Sequence, residues 1–382
     1  MKILVVDVGT GTQDVLLWDT RLDVENGFKL ILPSPTMRVR QQIQAATRRQ
    51  QPVALSGVMM GGGPNAWAAE DHVRAGLPLY ATPDAARSFN DDLAAVAASG
   101  VTVIGTDELT RLPEQVAHIE LRDFDFAALQ TAFGAFGVPL DDLAAVGVAV
   151  FDHGAAPPDV SDRQFRFNYL DERIRAANRL SAFAYPRDAI PPMMTRLQAV
   201  ATSAAAVAAP LVVMDTAPAA VLGATFDPRL AGRERLLVAN VGNFHTLAFR
   251  LGPSGIEGVF EHHTGLLDAP KLESLLRRLA DGSLTHAEVF ADHGHGALIY
   301  APEPFDLARG DFGVAVTGPR RAMLQDSPLR PYFAVPFGDM MIAGCFGLLA
   351  AMADLLPELH DPIQRALHEH TPSSRPPWEL SA

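Results

Sequence analysis

Short apolar runs alternate with polar, helix-compatible stretches along most of the chain. Residues 3–6 and 15–18 are apolar runs flanking Gly9-Thr10-Gly11-Thr12, and two such runs joined by a small-residue turn predict a β-hairpin. Residues 29–32 add a third strand, and 38–50 form a polar stretch compatible with a helix. An apolar run at 52–60 ends on Gly61-Gly62-Gly63-Pro64, where the backbone can approach a ligand closely. Residues 65–92 read as loop-rich, 93–98 as a short helix, 101–104 as a strand and 124–136 as a helix. Residues 144–151 are continuously apolar with alternating valines, the pattern of a parallel strand buried on both faces. Asp152-His153-Gly154 follows it, at the strand end where open α/β sheets place ligands.

The second half repeats the first. A charged helix at 161–183 and an alanine-rich helix at 193–209 lead to a strand at 211–214. Asp215-Thr216 and a small-residue helix at 218–223 come next. Residues 236–251 then repeat strand, glycine turn and strand, with Asn240 on Asp7, Gly242 on Gly9 and Asn243 on Thr10. A third strand at 255–260 precedes a helix at 270–280, where Leu272, Leu275, Leu276 and Leu279 form one stripe. Residues 287–291 read as a strand ending in Asp292-His293-Gly294-His295-Gly296. Another strand at 312–316 ends in Thr317-Gly318-Pro319-Arg320-Arg321, and a long helix follows at 340–355. The pattern predicts an α/β chain with a duplicated lobe: an N-terminal lobe over 1–209, a C-terminal lobe over 210–370 and a loose tail over 371–382.

Composition narrows the function classes. The chain has 382 residues, 48% apolar and 20% charged, enough for two cored domains. It has no apolar run long enough to cross a bilayer and no secretory leader pattern. The single cysteine, Cys345, excludes a disulfide framework and a cysteine-ligated iron–sulfur cluster within the chain. A cytoplasmic protein is the expectation. The net charge is −13 and the basic residues are scattered, which argues against nucleic acid as a partner. A small molecule in a cleft is the expected ligand, with self-association left open. To handle phosphates, such an acidic protein needs backbone N–H groups, a metal ion or a few arginines.

Asp7-Val8-Gly9-Thr10 followed by a second strand resembles the first phosphate motif of the actin, Hsp70 and sugar-kinase superfamily. The resemblance implies a two-lobe actin-like ATPase fold, ribonuclease H-like in each lobe, with ATP and Mg2+ in an interlobe cleft. It places Gly9, Thr10, Gly11 and Thr12, with Gly242, Asn243 and Thr246, around the phosphates, and Asp7 beside Mg2+. Gly318, Arg320 and Gly338 would take the adenine side. Within the superfamily the pattern is most similar to carbohydrate kinases. Residues 55–67 resemble their Ser-Gly-Gln-Met-His-Gly strand end, with Val58-Met59-Met60 in place of Gln-Met-His, and Phe89-Asn90-Asp91 resembles Trp-Asn-Asp. This implies substrate contacts from Gly61, Gly62, Gly63, Asn90 and Asp91. Residues 213–228 resemble the Gly-Asp-x-x-Ala-Ala-x-x-Gly helix, which implies Asp215 as catalytic base in phosphoryl transfer to a small polar metabolite.

The histidines point to a different chemistry. Asp152, His153, His262, Asp292, His293 and His295 are candidate ligands of a transition metal, with His263 and Glu261 nearby. In extended backbone, His293 and His295 would point the same way, whereas adjacent His262 and His263 would point oppositely. One alternative to an ATP-dependent kinase is thus a metal-dependent enzyme without ATP. A nucleotide-sensing assembly factor is another. The motifs DVGTGTQD, GGGP, FDHG, EHHTG and DHGHG also resemble an uncharacterised prokaryotic family labelled pyruvate formate-lyase activating-enzyme-like. That label implies radical chemistry on an iron–sulfur cluster held by three cysteines, which this chain cannot supply.

Overall fold

The first hairpin forms where the apolar runs place it. In a computed structural model describing residues 1–368 and 377–379, β1 (Lys2–Val8) and β2 (Thr12–Asp19) pair antiparallel with Asp7 opposite Asp14. β3 (Phe28–Pro33) lies outside β2. The chain then builds a small parallel sheet from β4 (Val53–Gly57), β5 (Leu79–Ala81), β6 (Thr102–Val103) and β7 (Ala117–Leu121). Its order is β6-β5-β4-β7, and Val39 and Ile43 of the helix Pro35–Arg48 share its core. β8 (Leu143–Val150) returns to run parallel beside β1, and β9 (Ala184–Pro186) and β10 (Leu211–Asp215) complete the first sheet.

The second lobe contains β11 (Leu236–Val241), β12 (His245–Gly252), β13 (Gly255–His263), β14 (Gly296–Ile299), β15 (Val314–Thr317) and β16 (Pro331–Phe333). The two sheet orders are β3-β2-β1-β8-β10-β9 and β14-β13-β12-β11-β15-β16. Each has an antiparallel three-strand meander whose first strand takes a parallel neighbour from farther along the chain. The repeated order is that of a ribonuclease H-like lobe used twice, the architecture of actin-like ATPases.

The lobes share an apolar core. Val6, Val148 and Val213 of the first sheet belong to the same buried cluster as Val238, Phe249 and Ala315 of the second. The helices Thr216–Ala224 and Ala343–Leu355 cross at backbone contact. A Cβ on Gly223 would overlap the Ala343 carbonyl oxygen, and one on Gly347 would overlap that of Ala219. Only glycine leaves room for this crossing. The helix Ala343–Leu355 also buries Phe346 and Leu348 with Ile3 and Val5 of the first sheet.

Several expectations need correction. Residues 65–92 are not mainly loop, since Pro64–Arg74 is a helix with Pro64 in its first turn, where the missing N–H costs nothing. Residues 287–291 are not a strand. They lie in the helix His286–Ala291, started by a Thr285/Glu288 capping box. The border drawn between 209 and 210 cuts through one sheet, because β10 is hydrogen-bonded beside β8. The tail expected from 371 lies outside the described residues, apart from the turn Pro377–Glu379.

Candidate functional site

Both glycine turns are closed in the same way. The Gly9 N–H donates to the Thr12 carbonyl at 2.9 Å, and the Gly242 N–H to the His245 carbonyl at 3.0 Å. The turns face each other: a Cβ on Gly11 would sit 2.5 Å from Asn243 Nδ2. They flank a cavity of about 380 Å³. Gly9, Thr10, Gly11, Thr12, Gly242, Asn243 and Gly318 line it, as do Gly61, Gly62, Gly63, Asn90 and Asp91 from the small parallel sheet's loops. Three other expected residues do not line it. Thr246 is buried and spends its hydroxyl on Thr264 at 2.9 Å. Arg320 is exposed, its N–H bonded to the Val241 carbonyl. Gly338 lines a separate depression beside Phe226 and Tyr332.

A carboxylate pair closes the floor. Asp7 and Asp14 are opposite one another on β1 and β2, each 7% exposed. The Asp7 Oδ1 accepts from Thr216 Oγ1 at 2.5 Å, while Oδ2 lies against Gly344, where a Cβ would overlap it. Burial raises the Asp7 pKa to about 7, the Thr216 bond offsets part of this, and the Asp215 charge adds to it. Burial and the Asp7 charge raise Asp14 to about 8. Among the described residues Asp14 Oδ1 is buried without a hydrogen-bond partner, so the pair fits a hard cation such as Mg2+. Both carboxyls hold protons more tightly in the folded chain than in the unfolded one. The stability this contributes is fully present below the unfolded pKa of 3.8, falls as pH rises above it, and is gone once pH has passed about 7 for Asp7 and about 8 for Asp14. With chelator present, the urea midpoint is expected to fall between about pH 4 and 8, with the slope easing above about 7, and to level off above about 8. Asp14→Asn should flatten that slope, and an unchanged profile would contradict the assignment.

Asp215 is placed differently from a base. It caps the helix Thr216–Ala224 through the Ala217 N–H at 3.0 Å and meets Arg166 Nη1 at 2.6 Å. It does not line the cavity, because the fully buried Arg166 claims it. Arg166 also bonds Glu261 Oε2 through Nε at 2.6 Å and the Asp152 carbonyl at 2.9 Å, tying the two lobes. Burial works to raise the Glu261 pKa, but the charges of Arg166, His295 and His245 hold it well below the usual range.

The histidines assemble only in part as expected. His153 follows β8, His245 begins β12 and His295 precedes β14, and one ring nitrogen from each lies within 4.8 Å of the others. His153 Nε2 and His295 Nε2 are 3.2 Å apart. The His245 Nδ1–H donates to Glu261 Oε1 at 2.9 Å. His263 stands opposite His245 in the β12–β13 register, with ring centroids 5.0 Å apart. Burial, reinforced by neighbouring cationic charge, holds His153 well below the ordinary range, His263 at about 4 and His295 at about 3. His245 was absent from the expected set. Its signal was its position, since it occupies in the second turn the place of Thr12 in the first.

Four expected metal ligands stand apart. His262 turns to the opposite face and bonds Asp292 Oδ2 and the Asp292 carbonyl, both at 3.1 Å. Asp292 also pairs with Lys271 at 2.5 Å. His293 is exposed with φ of 63°, so it is not extended and does not parallel His295. Asp152 lines the cavity but uses its oxygens on the Gly154 and Leu197 N–H groups at 2.8 and 2.9 Å.

Charge in the cleft is one-sided. Asp7, Asp14, Asp91, Asp152 and Asp162 line it against Arg87 and Arg196, and Arg196 is already paired with Asp123 at 2.7 Å. Helix N-termini counter this: Thr216–Ala224 and Ala343–Leu355 reach the cavity with their first residues, and Pro64–Arg74 with its N-cap Gly63. An anion entering here is therefore favoured when it brings a cation with it.

A family described as pyruvate format-lyase activating enzyme (DUF1786) matches residues 60–323. That span contains no cysteine, the only one being Cys345. No curated protein matches the chain. Among solved structures, the activator of the 2-hydroxyisocaproyl-CoA dehydratase from Clostridium difficile, with bound ADPNP, is similar at 10% identity. The overlap covers 98% of this chain and 100% of that one, with a TM-score of 0.34. An exopolyphosphatase-like protein is similar at 10% identity over 96% and 92%, TM-score 0.27. The ROK hexokinase from Thermus thermophilus is similar at 12% identity over 97% and 87%, TM-score 0.24. Superpositions this loose bear no weight on function.

Proposed function

The chain belongs to the DUF1786 family, and we propose that this member binds Mg2+–ATP between its two glycine turns and cleaves or transfers the terminal phosphoryl group. The observation that carries the reading is the approach of Gly11 to Asn243 across the cavity. Two turns of one design, one per lobe, can enclose a single polyanion between their N–H groups. Asp7 and Asp14 would hold Mg2+, which supplies charge neutralisation for the phosphates. Thr216 would keep Asp7 oriented, and Gly318 would face the nucleoside side. Gly61 to Gly63, with Asn90 and Asp91, would meet the phosphoryl acceptor, a small polar metabolite or water. A sugar-kinase base is not part of this reading, since Asp215 is committed to Arg166.

Gly11→Val tests it. Gly11 has no positive φ, so valine fits the local backbone, but its side chain enters the space of Asn243. Calorimetric titration should show Mg2+–ATP binding to the parent protein and at least about tenfold weaker binding to the variant, a loss of about 1.4 kcal/mol. Equal affinity in both, or no binding to the parent at millimolar nucleotide, refutes the proposal.

A further inference from the structure

We infer that His153, His245 and His295 bind one divalent transition-metal ion, in a site distinct from the Asp7/Asp14 pair and with an open coordination position facing the cleft. The three rings arrive from three separate chain segments, two from the second lobe and one from the first. In a tetrahedral site with nitrogen ligands at about 2.05 Å, neighbouring nitrogens stand about 3.3 Å apart. His153 Nε2 and His295 Nε2 already stand at 3.2 Å, and all three ligand atoms fall within 4.8 Å. A modest inward turn of the third ring completes the geometry.

The outer partners favour coordination. Glu261 Oε1 accepts from His245 Nδ1, which fixes the tautomer and leaves Nε2 as the ligand atom. That Nε2 is buried and has no hydrogen-bond partner among the described residues, in a residue 8% exposed. His295 Nδ1 makes no hydrogen bond among the described residues but stands 3.5 Å from the same carboxylate oxygen, on the side of the ring away from His153, while its Nε2 faces His153 Nε2. The other Glu261 oxygen is clamped by Arg166. A carboxylate that hydrogen-bonds one imidazole and stands beside a second, itself held by a buried guanidinium, pre-organises a metal centre.

The donor set selects the class of ion. Three imidazoles without a thiolate suit borderline cations such as Zn2+, Co2+, Ni2+ or Fe2+, and not Mg2+ or Ca2+, which prefer oxygen. His153 and His245 line the cavity, whereas His295 is buried behind them. The remaining position therefore opens to the cleft and takes an oxygen ligand, from water or from a carboxylate or phosphoryl group of the bound molecule. Because its ligands come from both lobes, the ion also acts as a clasp between them.

The inference does not rest on nucleotide binding and is tested without nucleotide. The metal-free full-length protein is reconstituted with Zn2+ or Co2+, desalted and analysed by elemental mass spectrometry, with a thermal melt on each sample. Expected results are about one ion per chain, a higher Tm with metal, and the strong visible absorption of four-coordinate Co2+. His153→Ala and His245→Ala should each cut retained metal at least tenfold and abolish the Tm shift. His293→Ala, at an exposed position outside the cluster, should retain the parent's metal. If His245→Ala fails to fold, His153→Ala gives the same readout from a less buried position. A parent protein that retains no metal after desalting overturns the inference, as do triad variants that retain as much as the parent.

Discussion

Asp7→Ala is expected to lose Mg2+-dependent nucleotide turnover by about a hundredfold or more. A metal ion at a transferring phosphoryl group contributes several kcal/mol of transition-state stabilisation, and each loss of about 1.4 kcal/mol is tenfold in rate. Asp7 is one of two buried carboxylates able to hold that ion, and the only one oriented by Thr216. Asn240 supplies the comparison, since it occupies the Asp7 position in the second hairpin without the charge. Asn240→Ala should cost much less, because no cation depends on it. The measurement is phosphate release at saturating Mg2+–ATP, with circular dichroism to confirm folding. Parent-like turnover in Asp7→Ala would remove the carboxylate floor from the mechanism.

Arg166→Leu should be the most destabilising single change, by about 3–5 kcal/mol. The guanidinium is fully buried and holds Asp215 and Glu261, both at 2.6 Å. Removing it leaves two buried carboxylates without their cation, which costs more than the pair contributes when intact. Urea denaturation should place the triple variant Arg166→Leu, Asp215→Asn, Glu261→Gln between the parent and the single variant, since neutral amides tolerate burial better than unpaired charges. A single variant within about 1 kcal/mol of the parent would mean that water or a rearranged side chain replaces the arginine.

The fold was largely legible because it rests on local patterns. The two hairpins, the buried strand at 144–151 and the repeat of Asp7 by Asn240 all follow from apolar periodicity and glycine spacing. The site was legible only where it sits on those patterns. Asp215 was misread because its partner, Arg166, lies 49 residues away and no local spacing announces it. His293 was misplaced by reading a strand where Thr285-x-x-Glu288 starts a helix, a signal that was present in the sequence. Alternation correctly separated His262 from His263, but only the β12–β13 register decides that His263 faces His245. His245 went unread although the hairpin repeat sets it on Thr12, a position the first hairpin already gave to the phosphate cradle.

Duplication gives the cleft two walls of common origin, but they have not stayed chemically alike. Where one hairpin offers Thr12, the other offers His245, and where one offers Asp7, the other offers Asn240. A bound molecule therefore meets acid at one end and imidazole at the other. It has a head and a tail as far as this protein is concerned, and the pseudo-dyad relating the lobes cannot seat it both ways round.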